Sequence, residues 1–88
     1  GRRIAAISAA PGVVLGRHSL LKGRTATCFP GFEKEFQDGC YTHQGVVTDG
    51  NLTTARGLGF AVDLGLTLVE LLLGSEAAED TRRRIQYT

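Results

Sequence analysis

Residues 4–15, IAAISAAPGVVL, carry the reading on which the fold turns. Ile4 to Ile7 form a run short enough for a strand, and apolar enough for one buried on both faces of a parallel sheet. Pro11 follows four residues later, where the fixed φ and missing N–H of proline suit the first turn of a helix. The spacing predicts a helix from about Ala9 to Arg17, leaving Ser8 alone at the junction. A strand that becomes a helix at a single residue is the backbone that displays a nucleophile, and it strains that residue. Such a bend needs small neighbours, and Ala5, Ala6, Ala9 and Ala10 supply them. The helix behind it would aim free N–H groups and a positive dipole end at the Ser8 side chain. That field makes a thiolate of a cysteine, but a serine hydroxyl needs an adjacent general base. No base is evident nearby: His18 lies about 15 Å along the helix at 1.5 Å per residue, and nothing local brings His43 close. From the residues alone, Ser8 is either a nucleophile on display or a small residue filling a tight bend.

Working outward, Thr25 to Cys28 reads as a second short strand, β-branched at alternate positions. Pro30 is expected to open a short helix, with Phe32 and Phe36 four apart on one face. Val46-Val47-Thr48, Asp49-Gly50 and Leu52-Thr53-Thr54 predict a hairpin, since Asp-Gly between β-formers is its strongest local signal. Arg56 to Gly59 reads as a loop. Phe60 to Leu73 predicts a helix whose stripe of Phe60, Leu64, Leu68 and Leu72 implies burial on most sides. Gly74 would stop it, and Ser75 would cap a last helix with acidic residues early and Arg82 to Arg84 late, matching its dipole. The order β-α-β-α-β-β-α-α points to an α/β layered fold. A buried parallel strand needs a neighbour on each edge, and Thr25 to Cys28 is the one evident candidate. With no Met and a core strand entered within three residues, the chain is expected to be half of a domain.

Composition excludes little but narrows the class. The 88 residues allow one small domain, and a net charge of +1 with scattered basic residues gives no electrostatic reason to expect nucleic acid. The Arg82 to Arg84 triplet reads as a solvated helix end. The longest apolar stretch, Leu64 to Leu73, is too short to span a membrane. Cys28 and Cys40 fit neither a disulfide framework nor a zinc signature, which suits a reduced cytoplasmic protein, and both read as core or half-buried residues. Gly57-Leu58-Gly59 is a fragment of a phosphate-loop pattern without the strand it requires. No metal site is expected.

Four features recur together here: the elbow, the "LLKG…ATCFP" segment, the "DGNLTT" hairpin and the "RGLG" loop before an apolar helix. In this combination the chain resembles the C-terminal half of proteins of the ThiJ/PfpI superfamily, in the Parkinson disease protein 7-like branch of protein deglycases and glyoxalase III enzymes. The resemblance implies half of a flavodoxin-like three-layer α/β/α sandwich with a mostly parallel sheet. Residues 1–88 are thus expected to be a partial ThiJ/PfpI (class I glutamine amidotransferase-like) domain lacking its N-terminal half, usually homodimeric and cofactor-free. It implies activity on small α-oxoaldehydes or their adducts; a redox- or stress-responsive chaperone module and a PfpI-like peptidase or amidase are the other readings. Matched residue by residue, Ser8 falls where the family has its reactive cysteine, with Ala9 beside it at the oxyanion pocket. Phe29 takes the place of a near-site histidine or aromatic, and Arg56, Gly57 and Gly59 match a loop by the site and the dimer contact. Two departures stand out: Ser8 replaces the cysteine, and Leu58 replaces a proline. The glutamate that hydrogen-bonds the thiol belongs to the absent half. The implied site is therefore a silenced one.

Overall fold

A computed structural model describes residues 2–87. The hairpin organises its main sheet. Strands β4 (Val46–Asp49) and β5 (Leu52–Ala55) pair antiparallel with Asp49 opposite Leu52, so Gly50 and Asn51 make the turn. Gly50 takes φ 62°, the left-handed value that such a two-residue turn asks of its first central position.

β1 (Ile4–Ile7) lies parallel to β5, from Ile4 opposite Leu52 to Ile7 opposite Ala55, giving the order β1-β5-β4. This corrects the expected pairing of Ile4–Ile7 with Thr25–Cys28. The latter segment forms only β2 (Thr25–Ala26), parallel to β3 (Cys40–Tyr41) in a separate two-stranded sheet. Side chains of the hairpin take the donors a longer ladder would use: Thr25 N–H donates to Asp49 Oδ2 at 2.7 Å and Thr27 N–H to Thr54 Oγ1 at 2.9 Å. β5 is buried along its whole length, whereas Ile4 and Ala5 of β1 are exposed. Among the described residues no strand pairs with the second edge of β1.

The α-helix predicted from Ala9 to Arg17 is instead a six-residue π-helix, Pro11–Gly16. Arg17 N–H reaches Gly12 O at 3.1 Å and Leu20 N–H reaches Leu15 O at 2.8 Å, each five residues back. A tertiary contact accounts for this widening. The Gly12 and Gly16 backbones lie against the carbonyls of Phe32 and Glu35 so closely that a Cβ at either position would collide with them. An Arg17–Glu35 ion pair at 3.0 Å closes the same contact. The helix expected after Pro30 shrinks to one 3-10 turn, Glu33–Glu35, whose backbone is committed to that seat. Leu15, Leu21, Ala26, Cys28, Phe36 and Leu52 form the core, with Ala6, Phe32 and Tyr41 packed on it.

A 3-10 turn, Leu58–Phe60, leads into α1 (Ala61–Leu73). Its apolar stripe is less covered than the periodicity predicts: Leu66 is buried, but Leu72 and Leu73 are 66% and 74% exposed. Gly74 (φ 97°) breaks α1 from α2 (Ser75–Arg84) and itself occupies the cap position. Ser75 is therefore the first residue of α2 rather than its cap, and its hydroxyl donates back to Glu70 Oε2 at 3.4 Å. The acidic start and basic end of α2 stand as predicted. Tyr87 anchors the end of the chain by hydrogen bonding its hydroxyl to Asp63 on α1. Among the described residues no helix is long and apolar enough to cross a membrane.

Candidate functional site

Ser8 adopts φ 63°, the left-handed region that costs an L-residue roughly 1–2 kcal/mol. Two hydrogen bonds hold it there. Its N–H donates to Ala55 O at 3.0 Å, extending the β1–β5 ladder by one residue, and its C=O accepts from Phe29 N–H at 2.7 Å. The chain then turns at once: Ala9 O accepts from Gly12 N–H at 3.1 Å and Val13 N–H at 2.9 Å. The half-buried Ser8 side chain thus stands at the end of β1, where the first helical turn begins.

The Phe29 bond carries the elbow into its surroundings. The Phe29 side chain, half exposed, lines an open groove of about 300 Å³ with Pro30, Arg56, Gly57, Leu58, Gly59 and Phe60. Four of the residues matched by resemblance, Phe29, Arg56, Gly57 and Gly59, therefore converge on one depression, and Ser8 adjoins it through the Phe29 backbone. Ser8 and Ala9 themselves are not among its lining residues. Gly57 has an extended backbone (φ 178°), so its conformation alone does not call for glycine; a Cβ there would meet the Phe29 ring at 3.5 Å.

Arg56 braces the groove. Its N–H donates to Gly45 O at 2.8 Å, its Nη1 donates to His43 O at 2.7 Å, and its guanidinium lies 4.7 Å over the Phe60 ring. Gly45 packs against that ring so closely that a Cβ there would collide with it. Gly45 and the groove-lining roles of Pro30, Leu58 and Phe60 escape a sequence reading; Phe60 reads as part of a helix stripe, and the contact of Gly45 with its ring leaves no local signal.

Neither histidine serves Ser8. His18 is exposed on the turn after the π-helix, and His43 Nδ1 shares a 3.2 Å hydrogen bond with the Tyr41 hydroxyl. Cys28 is fully buried, and burial, helped by the Glu33 charge, pushes its thiol up to about 11, so it is no nucleophile at neutral pH. Cys40 is exposed, which corrects its expected place in or near the core: it is the first residue of β3, at the end of a two-residue strand in a two-stranded sheet. Among the described residues no three of His, Cys, Asp and Glu group to hold a metal ion. A second depression of about 210 Å³, between α1 and α2, shares no residue with the groove.

The sequence model of the DJ-1/PfpI family matches residues 1–71. The chain is 39% identical over 82 residues to Protein DJ-1 homolog A of Arabidopsis thaliana, covering 91% of this chain and 21% of that protein. It is 38% identical over 82 residues to the Parkinson disease protein 7 homolog of Danio rerio, covering 90% and 43%. Among solved structures it superposes on a DJ-1 superfamily protein from Salmonella typhimurium with a TM-score of 0.94 at 40% identity, covering 100% of this chain and 48% of that one. Oxidized Toxoplasma gondii DJ-1 gives 0.93 at 33% identity, with the same 100% and 48% coverage. The architecture is accordingly a flavodoxin-like α/β/α sandwich in part, and the chain spans half the length, or less, of the relatives it matches.

Proposed function

This chain belongs to the DJ-1/PfpI family, and on that premise we propose that it carries the elbow half of a cofactor-independent glyoxalase- or deglycase-type site for α-oxoaldehydes or their adducts, catalytically silenced by Ser8. The left-handed Ser8 at the end of β1 is the observation that carries the reading. With cysteine at this position, the thiolate adds to the aldehyde carbon: a C–S bond forms and the carbonyl π pair becomes an oxyanion. The backbone N–H groups of Ala9 and Ala10, just ahead of the Pro11–Gly16 turn, would favour that negative charge. The oxyanion takes up a proton from water to give a hemithioacetal, and a carboxylate from the N-terminal half moves the proton from that carbon to the neighbouring carbonyl carbon while the hydroxyl proton passes to the oxygen of that carbonyl. Water then cleaves the resulting thioester, releasing a 2-hydroxy acid and the free thiol. Ser8 cannot begin this sequence, because its hydroxyl stays protonated at neutral pH without a base, and His43 is committed to Tyr41.

The same reading covers the partners. The unpaired edge of β1 and the exposed Leu72 and Leu73 of α1 suit an N-terminal α/β segment of the same domain, and Leu58, 88% exposed on the RGLG loop, suits a homodimer contact. Two free cysteines fit a reducing cytoplasmic setting. Methylglyoxal turnover by the full-length protein tests the assignment: the Ser8 form should stay at background and Ser8→Cys should gain on the order of 100-fold or more. Equal, substantial activity in both forms would sink it. The exposed apolar face of α1 favours one further reading, a non-enzymatic stress or chaperone-like dimer, to which the elbow is irrelevant. A PfpI-like peptidase would require Ser8 to label with a fluorophosphonate.

A further inference from the structure

From the groove beside Ser8 we infer the class of substrate: an α-oxoaldehyde, or an adduct of one, whose carbonyl carries an aryl or branched alkyl group in place of methyl. The inference rests on the function proposed above and extends it to specificity. The groove begins where the elbow ends, since Phe29 N–H is bonded to the Ser8 carbonyl at 2.7 Å while the Phe29 side chain forms its wall. Pro30, Leu58 and Phe60 supply the other apolar surfaces.

These walls are held open. Phe60 lies against the Gly45 backbone and 4.7 Å from the Arg56 guanidinium, which is itself tied to the His43 carbonyl at 2.7 Å. Phe29 rests edge-on against Phe32 with ring centres 6.5 Å apart. The space amounts to about 300 Å³, whereas an apolar cavity of roughly 150 Å³ is enough to take benzene. A methyl group would leave most of the groove filled with water. An aryl ring would exclude that water and meet two aromatic walls, in the offset or edge-on contacts aromatic pairs prefer.

The products of aryl and methyl substrates, mandelate and lactate, provide probes that need no turnover. Titration calorimetry on the full-length protein with Ser8 in place should show saturable mandelate binding about tenfold tighter than lactate, as expected for burying a ring rather than a methyl. Phe29→Ala and Leu58→Ala alter half-exposed or exposed side chains; each should bring mandelate affinity down to that of lactate. Equal affinities, no saturable mandelate binding, or a preference indifferent to both substitutions overturns the inference. In the Ser8→Cys form, phenylglyoxal should be turned over with a kcat/KM about tenfold above that of methylglyoxal. If that form turns over neither aldehyde but the mandelate preference persists, the glyoxalase reading fails and the groove assignment stands. Turnover of methylglyoxal without any aryl preference would uphold the glyoxalase reading and overturn the groove assignment.

Discussion

Two threonines buried side by side should respond to the same substitution with opposite signs. Thr27 is fully buried, its Oγ1 has no hydrogen-bond partner among the described residues, and its N–H donates to Thr54 Oγ1 at 2.9 Å. Thr27→Val replaces an unsatisfied hydroxyl by a methyl of nearly the same volume and leaves the N–H bond in place. An unmade buried hydrogen bond costs about 1–3 kcal/mol, so allowing for some repacking the variant should be more stable by about 1 kcal/mol. Thr54, also fully buried, is the reverse case. Thr54→Val strips Thr27 N–H of its acceptor and should destabilise by about 1–3 kcal/mol. Equilibrium unfolding of the full-length protein in urea reads both. With m near ~2 kcal/mol/M, the Thr27→Val midpoint should rise by about 0.5 M and the Thr54→Val midpoint fall by at least as much, at constant m. The two sites share a hydrogen bond, so the double variant need not add. A fall in the Thr27→Val midpoint comparable to that of Thr54→Val would refute the reasoning, because it would mean that the Thr27 hydroxyl is bonded in the complete domain.

Ser8→Gly should relieve the left-handed strain while adding unfolded-state freedom, and Ser8→Ala should relieve nothing; the glycine variant is expected to be the more stable of the two by about 1 kcal/mol in thermal unfolding. Equal stability would show that the elbow is unstrained. An alkylating agent at pH 8 should label exposed Cys40 and spare buried Cys28, with labelling of both as the contrary result. Because burial lifts the Cys28 thiol from 9.0 to about 11, the folded protein keeps a proton that the unfolded chain releases first. Its contribution to stability is fully present below pH 9 and lost as pH rises through about 11, so urea midpoints at pH 8 and 10.5 should converge in Cys28→Ala relative to the parent.

The features legible in the sequence are those with local chemistry. Asp49-Gly50 fixes its hairpin through the φ that glycine allows, and Gly74 marks the break between two helices for the same reason. The strand-then-Pro pattern at Ile4 to Pro11 likewise locates the elbow within one residue, because small neighbours and a proline are needed on the spot. What escapes is set at a distance. The widening of Pro11–Gly16 into a π-helix follows from contact with Phe32 and Glu35, and a propensity reading sees a plain helix there. β1 finds β5 across most of the chain, where parallel pairing leaves no turn signal to announce it. The convergence of Phe29 with Arg56 to Gly59 comes from family resemblance, since no spacing rule joins segments so far apart. Phe60 is hidden differently: its helical period is real, but a 3-10 turn rotates it into the groove wall.

The two hydrogen bonds that pin Ser8 both use its backbone, one to Ala55 and one to Phe29. The bend is therefore imposed from outside the residue, and nothing in its geometry depends on whether the side chain ends in oxygen or sulfur. Cysteine and serine codons can differ by a single nucleotide, so an exchange between the two at this position can take one mutational step and leave the bend in place. The scaffold acts as a socket that keeps its shape whichever of the two side chains fills it.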